Sequence, residues 1–430
     1  MALGMSPGAL LLIMFFVLIF LRVPIAVSLG VAAMSVISLT GLGTQMFAPV
    51  FFANISKFSL LAIPFFILAG VIMGKAKISD KIVHLVALLV GPVPGGLAVV
   101  TVITAIFWGA VSGSGPATVA ALGTILIPGM VNMGYKKDFA AALVSASSGI
   151  AIIIPPSIAF VVYGVITGAS ISELFVAGII PGIVVGLFLI LAAVLISLAC
   201  GYKGDRFGTA REIWVAFKEA VWGLIAPLII LGGIYGGIFT PTEAAAVSVF
   251  YGLFVGFFIY RTLTFQDLLQ LLVDSAVSSA VVMLVVSLAG IFGWAMTTLG
   301  VVEKISQTAI ALASNEYILL MIINLIFFVA GMLLDAISIY YLLLPVLMPI
   351  MAHFGWDPVW FGIMMTVNLA IGQITPPVAV NLYVGANIAQ ISMDDISKAV
   401  IPFVLASIVA LLCITFFPAL STWLPDMMLH

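Results

Sequence analysis

Two short segments of this 430-residue chain set hydroxyls beside helix breakers inside otherwise apolar runs: Ser112-Gly113-Ser114-Gly115-Pro116-Ala117-Thr118 and Ile154-Pro155-Pro156-Ser157. Glycine and proline interrupt a helix, leaving carbonyls free at the end of one half-helix and amides free at the start of the next. Such carbonyls suit a cation, and a helix N-terminus attracts an anion. The pattern returns later as Gly331-Met332-Leu333-Leu334-Asp335-Ala336-Ile337-Ser338 and as Gln373-Ile374-Thr375-Pro376-Pro377, the latter preceded by Thr366 and Asn368 and followed by Asn381. Asp335 is the only acidic residue that the topology derived below puts deep in the membrane, where an ionisable group is a cation ligand, a proton carrier or a substrate contact. Asp is also a favoured helix N-cap, and the two roles are compatible. The cation-linked role is the favoured one.

The two occurrences are copies. Residues 109–181 lie over 330–402 without a gap, matching Pro128 with Pro349, Gly134 with Gly355, Pro155-Pro156 with Pro376-Pro377, Gly164 with Gly385 and Pro181 with Pro402. Ser114 falls on Asp335. Paired Gly/Pro-interrupted apolar segments in two halves point to the binding site of a secondary transporter.

The elements that must position these residues follow from composition and charge. The chain is 64% hydrophobic and 7% charged, against about 25% charged for a soluble domain. It therefore reads as a polytopic all-α membrane protein. Apolar runs predict helices at about 3–21, 24–40, 58–74, 138–167, 175–200, 219–239, 244–260, 275–299, 359–388 and 400–424. The segments 95–131 and 316–349 are too long or too broken for one crossing and read as re-entrant hairpins. With ten crossings, Arg22, Lys75, Lys77, Lys81, Lys136, Lys137, Lys203, Arg206, Arg211, Lys218, Arg261 and Lys398 fall on one side, and only Lys57 and Lys304 on the other. Positive charge marks the cytoplasmic side, so both termini are expected in the periplasm. Each half has five crossings and a hairpin, and five is odd. The second copy is thus inverted: residues 1–218 carry a cytoplasm-facing hairpin and residues 219–430 a periplasm-facing one. The linkers 201–218 and 261–274 are read as short cytoplasmic connections.

Other features read as structural. Thr240-Pro241-Thr242-Glu243 has the form of a capping box with proline in the first turn. Cys200 and Cys413 read as small buried hydrophobes. His84, His353 and His430 share no metal spacing. No basic residue precedes the first apolar run, so it reads as a membrane helix rather than a cleaved leader.

The segment Gly237-Ile238-Phe239-Thr240-Pro241-Thr242-Glu243-Ala244-Ala245-Ala246, the Ser112–Thr118 tip and both Pro-Pro breaks together resemble the large membrane subunit of TRAP (tripartite ATP-independent periplasmic) transporters, along essentially the whole chain. The resemblance implies an elevator-type, Na⁺-coupled importer in a bacterial inner membrane. It also implies a soluble periplasmic substrate-binding protein and a small four-helix membrane subunit. The small subunit is expected as a separate chain, since nothing precedes residue 1. Substrates of the family are organic acids, and the chain looks most similar to its sialic-acid members, with C4-dicarboxylates or other sugar acids as alternatives.

On this reading two or more Na⁺ ions bind, one site near Ser112, Gly113, Ser114 and Ile154, the other near Gly331, Asp335, Gln373 and Thr375. Substrate is expected at Ser114, Thr118, Pro156, Ser157, Asn368, Pro377 and Asn381. No Arg or Lys lies at that depth, so cations and half-helix N-termini must neutralise a carboxylate. Proton coupling through Asp335 and a channel-like anion pathway are the rival transport mechanisms. An intramembrane serine protease would need an oriented base, and no buried His is offered.

Overall fold

The computed structural model describes residues 5–202, 204, 207–313 and 315–429, and no strand occurs among them. Lys203 and Arg206, counted above as cytoplasmic, lie outside the described residues, as do the start of the first predicted helix and His430.

Helix α1 (Pro7–Phe20) begins at Ser6, whose hydroxyl accepts from the Ala9 amide, and α2 (Ile25–Thr40) follows directly after Pro24. Short α3 (Phe47–Ile55) leads to α4 (Ala62–Lys75) and α5 (Ile78–Val90). The first hairpin is α6 (Gly96–Ser112) and α7 (Gly115–Asn132). Next come α8 (Lys137–Ser148), a 3₁₀ turn at Gly149–Ile152, and α9 (Ile158–Thr167). Tandem proline supplies no amide at Pro155 and Pro156, so the predicted 138–167 helix is split there. A long helix, α10 (Ile171–Cys200), closes the half.

The second half opens with α11 (Ala210–Tyr235), α12 (Pro241–Phe254), α13 (Phe265–Thr298) and α14 (Val301–Leu312). The second hairpin is α15 (Glu316–Gly331) and α16 (Ala336–Phe354). The second broken helix is α17 (Pro358–Gly372) and α18 (Val380–Ala389), and α19 (Met393–Phe416) and α20 (Ala419–Leu429) end the chain. Each of the ten predicted crossings is occupied by a helix or a broken helix, and both hairpins are helix–turn–helix units. Eight of the described helices are long and apolar enough to cross a membrane. Shorter apolar helices are α1, α2, α6, α9, α15 and α17, four of which are arms of hairpins or breaks.

Several elements differ from the sequence expectation, each for a local reason. Helices α11 and α13 reach back into segments read as linkers, because Thr209 with Glu212 and Thr264 with Asp267 form complete capping boxes. Helices α5 and α14 lie outside the apolar runs that predict helices. They are amphipathic, and averaging over the sequence hides a helix with a polar face. Helix α5 buries Ile78, Ile82, Val83 and Val86 and pairs Lys81 with Glu219 of α11 at 2.7 Å. Pro418 divides the predicted last helix into α19 and α20. Cys200 is exposed and Cys413 partly so, both as free thiols, because each sits on an outward helix face rather than in the core.

Packing sorts the helices into two groups. In one, α4 packs on α12 and α13, α13 on α2 and α3, and α5 on α11. In the other, α6 and α7 pack on α8, α15 on α17, and α18 on α7 and α8. Helices α10 and α19 pack on each other and on the broken helices, so they belong to the second group. The groups meet where α5 and α4 touch α6 and where α13 and α14 touch α16.

Backbone proximity joins each hairpin to its own break. A Cβ on Gly109 would lie 2.9 Å from the Ala151 Cα, and one on Gly372 would lie 2.6 Å from the Gly331 backbone. Ala151 and Gly372 are repeat mates. Gly372→Ala should therefore lower the melting temperature by an overpacking cost of about 1–3 kcal/mol. Gly232→Ala, in α11 with nothing within 4 Å, should leave it unchanged or raise it. Thermal unfolding of the two purified variants checks both.

Candidate functional site

At the first hairpin, α6 ends in Ser112, Gly113 takes φ +60° and Ser114 stands at the N-cap of α7 without capping it through its side chain. The Ser112 Oγ instead pairs with Thr118 Oγ1 at 2.6 Å and receives a long contact from the Ser114 amide at 3.5 Å. Thr118 is fully buried, so this pair closes the turn from inside. Gly113 lies against the first break: a Cβ there would sit 2.8 Å from the Pro156 carbonyl oxygen. Ser157 donates to Ile152 O at 2.6 Å and accepts from the Phe160 amide at 3.4 Å, capping α9. Ser112, Gly113, Ser114, Thr118, Pro156 and Ser157 thus form one junction. Ile154 is buried with its side chain against Gly182 of α10, and the neighbouring Ile153 carbonyl faces Gly178 of the same helix.

The second junction is built differently. Gly331 ends α15 against Gly372. Asp335 caps α16, its Oδ2 accepting from the amides of Ile337 and Ser338 at 3.0 and 3.1 Å and its Oδ1 from Ser338 Oγ at 2.5 Å. The carboxylate is thus in capping geometry, in the place Ser114 takes in the first copy. The break is tied to the hairpin by Val378 N donating to Met332 O at 3.1 Å. Thr375 Oγ1 donates back to Ile371 O at 2.7 Å, and Pro377 is exposed.

Gln373 and Asn381 do not stay within their own copy. The Asn381 amide nitrogen of the backbone donates to Gln373 O at 3.1 Å. Its side-chain Nδ2 donates to Ser145 O at 3.3 Å, and Ser145 Oγ donates to Asn381 O at 3.2 Å. A Cβ on Gly115 would meet Gln373 Oε1 at 2.4 Å and Asn381 Oδ1 at 2.9 Å. The tip of the first hairpin therefore rests on the second break. Asn368 is held from the other side, its Nδ2 donating to both O and Oδ1 of Asn324 in α15 at 2.9 Å.

Among the described residues, three buried side-chain amide oxygens have no donor: Asn368 Oδ1, Gln373 Oε1 and Asn381 Oδ1. Ser147, the repeat mate of Asn368, also has an unpartnered buried hydroxyl. Buried polar groups in proteins are normally paired, so acceptors left over in one region mark what the region can take up. Amide oxygens without donors suit a hard cation or a hydroxyl-bearing ligand.

A cavity of about 770 Å³ opens from the first hairpin tip, between it and α4 and α13. Ser112 and Ser114 form its inner end and Lys75, Lys77 and Asp80 its outer end. Sequence reasoning missed Ser145, Asn324 and Trp108, which also lines this cavity. Asn324 was visible as an amide inside an apolar arm; the others become functional only through neighbours distant in sequence.

Two hairpins and two broken helices, packed within a bundle of apolar helices, define a membrane transport protein rather than an enzyme. The family model described as "Tripartite ATP-independent periplasmic transporter, DctM component" matches residues 12–420, and the chain belongs to that family. It is similar to the isethionate TRAP transporter permease protein DctMQ of Oleidesulfovibrio alaskensis, at 44% identity over 93% of this chain, which spans 63% of that relative. The C4-dicarboxylate TRAP transporter large permease protein DctM of Rhodobacter capsulatus is 36% identical, with 94% of this chain and 96% of the relative covered. The sialic acid TRAP transporter large permease protein SiaM of Vibrio cholerae is 35% identical, with 96% and 97% covered. Among solved structures, the YdaH transporter of Alcanivorax borkumensis shares the fold with a TM-score of 0.61 at 15% identity, covering 98% of this chain and 99% of that one.

The Ser112–Thr118 pair yields a direct test. Thr118→Val keeps the shape but leaves the buried Ser112 hydroxyl without its partner, at a cost of about 1–2 kcal/mol. A lower melting temperature is expected for Thr118→Val and a largely restored one for Thr118→Ser.

Proposed function

We propose that this chain is the large membrane subunit of a Na⁺-coupled importer of small organic acids in a bacterial inner membrane. A periplasmic binding protein delivers the substrate, and a small membrane subunit of the four-helix type completes the assembly. The observation that carries the coupling is the set of three donor-free buried oxygens on Asn368, Gln373 and Asn381. These acceptors repel a carboxylate until a cation is present. Sodium entry then completes the site for the anion, and neither is carried well alone. The first cation is assigned to the Ser112–Ser114 turn with Ile154, the second to the Gly331–Asp335 turn with Gln373 and Thr375. The acid lies between the hairpin tips, toward Ser114, Thr118, Pro156, Ser157, Asn368, Pro377 and Asn381.

The names of the relatives do not favour sialic acid over other acids. The isethionate relative is 44% identical, whereas two sialic-acid relatives are 33% and 35% identical. The substrate class is therefore proposed as an organic acid, with sialic acid, C4-dicarboxylates and isethionate as the first to be assayed.

The two packing groups fit an elevator in which hairpins and broken helices move together against a stationary scaffold. The cavity fits a state open at its lysine-lined end, the side that the positive-inside reading takes as cytoplasmic. On the opposite side Lys57, between α3 and α4, donates to the Val165 carbonyl in the last turn of α9 at 2.9 Å, linking the groups.

Two outcomes follow. Asp335→Asn keeps a capping side chain but removes the charge. It should raise the Na⁺ concentration for half-maximal uptake about tenfold, the value of one charge-assisted contact. An unaltered sodium response takes Asp335 out of the cation site. With Cys200 and Cys413 replaced by Ala, Lys57→Cys paired with Val165→Cys and bridged by a bis-methanethiosulfonate, which forms a disulfide to each thiol, should arrest uptake until reduced. Undiminished uptake by the bridged protein contradicts the moving group.

A further inference from the structure

We propose that the cavity between the first hairpin and the scaffold contains a second, sodium-independent anion station, built from the Trp108 indole N–H and the Lys77 ammonium, which takes the carboxylate of the substrate on its way out. Three features of the cavity lead there. Trp108 lines it and is 1% exposed, yet its Nε1–H has no acceptor. An unpaired buried donor is costly, and it marks a place where an acceptor is to be bound. The indole edge next to Nε1 faces Gly74, another wall residue: a Cβ on Gly74 would lie 3.8 Å from Trp108 Cζ2. Gly74 carries no side chain that would cover that edge of the ring, whose Nε1 is itself buried.

The charges at the mouth are unequally committed. Lys75 is paired with Asp267 at 3.0 Å, and Asp267 also accepts from the Thr264 amide and hydroxyl. Asp80 is contacted at 3.5 Å by its neighbour Ser79. Lys77 forms no ion pair among the described residues. It stands in left-handed geometry, φ +58°, at the N-cap of α5. A ligand that satisfies both groups must carry an acceptor for the indole and a negative charge for the ammonium, which is the chemistry of an acid anion such as a carboxylate. At about 770 Å³ the cavity is within the usual size range for small-molecule pockets.

The station differs from the site between the hairpin tips in what it demands. Here the donors belong to the protein, so no cation is needed to complete it. A carboxylate released when sodium leaves the tips meets a donor and then a positive charge in order along the cavity wall. The proposal rests on the importer reading for its ligand, but binding itself can be measured without transport.

The test is ¹⁹F NMR of the full chain in lipid nanodiscs with 5-fluorotryptophan at its 7 Trp positions. Trp108 is assigned by Trp108→Phe, or by Trp108→Tyr should the first not fold. Potassium succinate and potassium gluconate are titrated in sodium-free buffer against matched potassium chloride. The Trp108 resonance should shift and saturate with both carboxylates and not with chloride. Lys77→Met should weaken the apparent affinity about fivefold, the value of one partly exposed charge pair. No shift at Trp108, an equal shift with chloride, or a titration untouched by Lys77→Met overturns the station. Saturation here combined with absent uptake of every acid would instead count against the importer reading.

Discussion

A peptide group freed inside an apolar medium must find a partner or cost several kcal/mol, and this constraint organises the whole molecule. Each break in a helix is answered by a specific contact. Pro156 presents its carbonyl to the Gly113 turn, Val378 donates to Met332, and Asn381 donates to Gln373. Ser157 and Thr375 send their hydroxyls back to Ile152 and Ile371. Because Pro156 and Val378 meet the hairpins and Asn381 exchanges bonds with Ser145 of the other broken helix, satisfying the breaks also joins the irregular elements to one another. Closure of glycine on backbone, as at Gly331 and Gly372, allows the approach that such contacts need.

The two copies meet this constraint with unlike chemistry. The first uses small hydroxyl side chains that pair with each other, and its Ser157 is wholly buried. The second uses amides and a carboxylate: Asn368, Gln373, Asn381 and Asp335. Amides bring more acceptor capacity than their neighbours can fill, and the surplus oxygens are found there. The symmetry of the backbone thus carries an asymmetry of charge and hydrogen bonding, with Ser114 and Asp335 in equivalent N-cap positions as its sharpest instance. An inverted repeat gives two equivalent positions for the irregular parts. The side chains decide what each will hold.

What the sequence made legible were features governed by local rules. Pro155-Pro156 and Pro376-Pro377 had to split their helices, Ser112–Thr118 had to turn, and Thr240 with Glu243 had to cap α12, as their reciprocal bonds show. Features that depend on a distant partner stayed hidden. Gly115 gives no sign of resting on Gln373 and Asn381, Ser145 none of reaching Asn381, and Asn324 becomes meaningful only when Asn368 lies beside it. Helices α5 and α14 escaped because mixed polarity lowers their average hydropathy, although their periodicity was present. The assignment of α10 and α19 to the hairpin group required packing, since an apolar helix reads the same beside lipid or beside another helix.

Coupled import requires that the cation complete the anion's site. Proteoliposomes containing the membrane subunits are given binding protein and labelled organic acid outside, with an inward Na⁺ gradient imposed or withheld. The account predicts accumulation of the acid above its external concentration with the gradient and negligible uptake without it. Simple equilibration, indifferent to sodium, would contradict it.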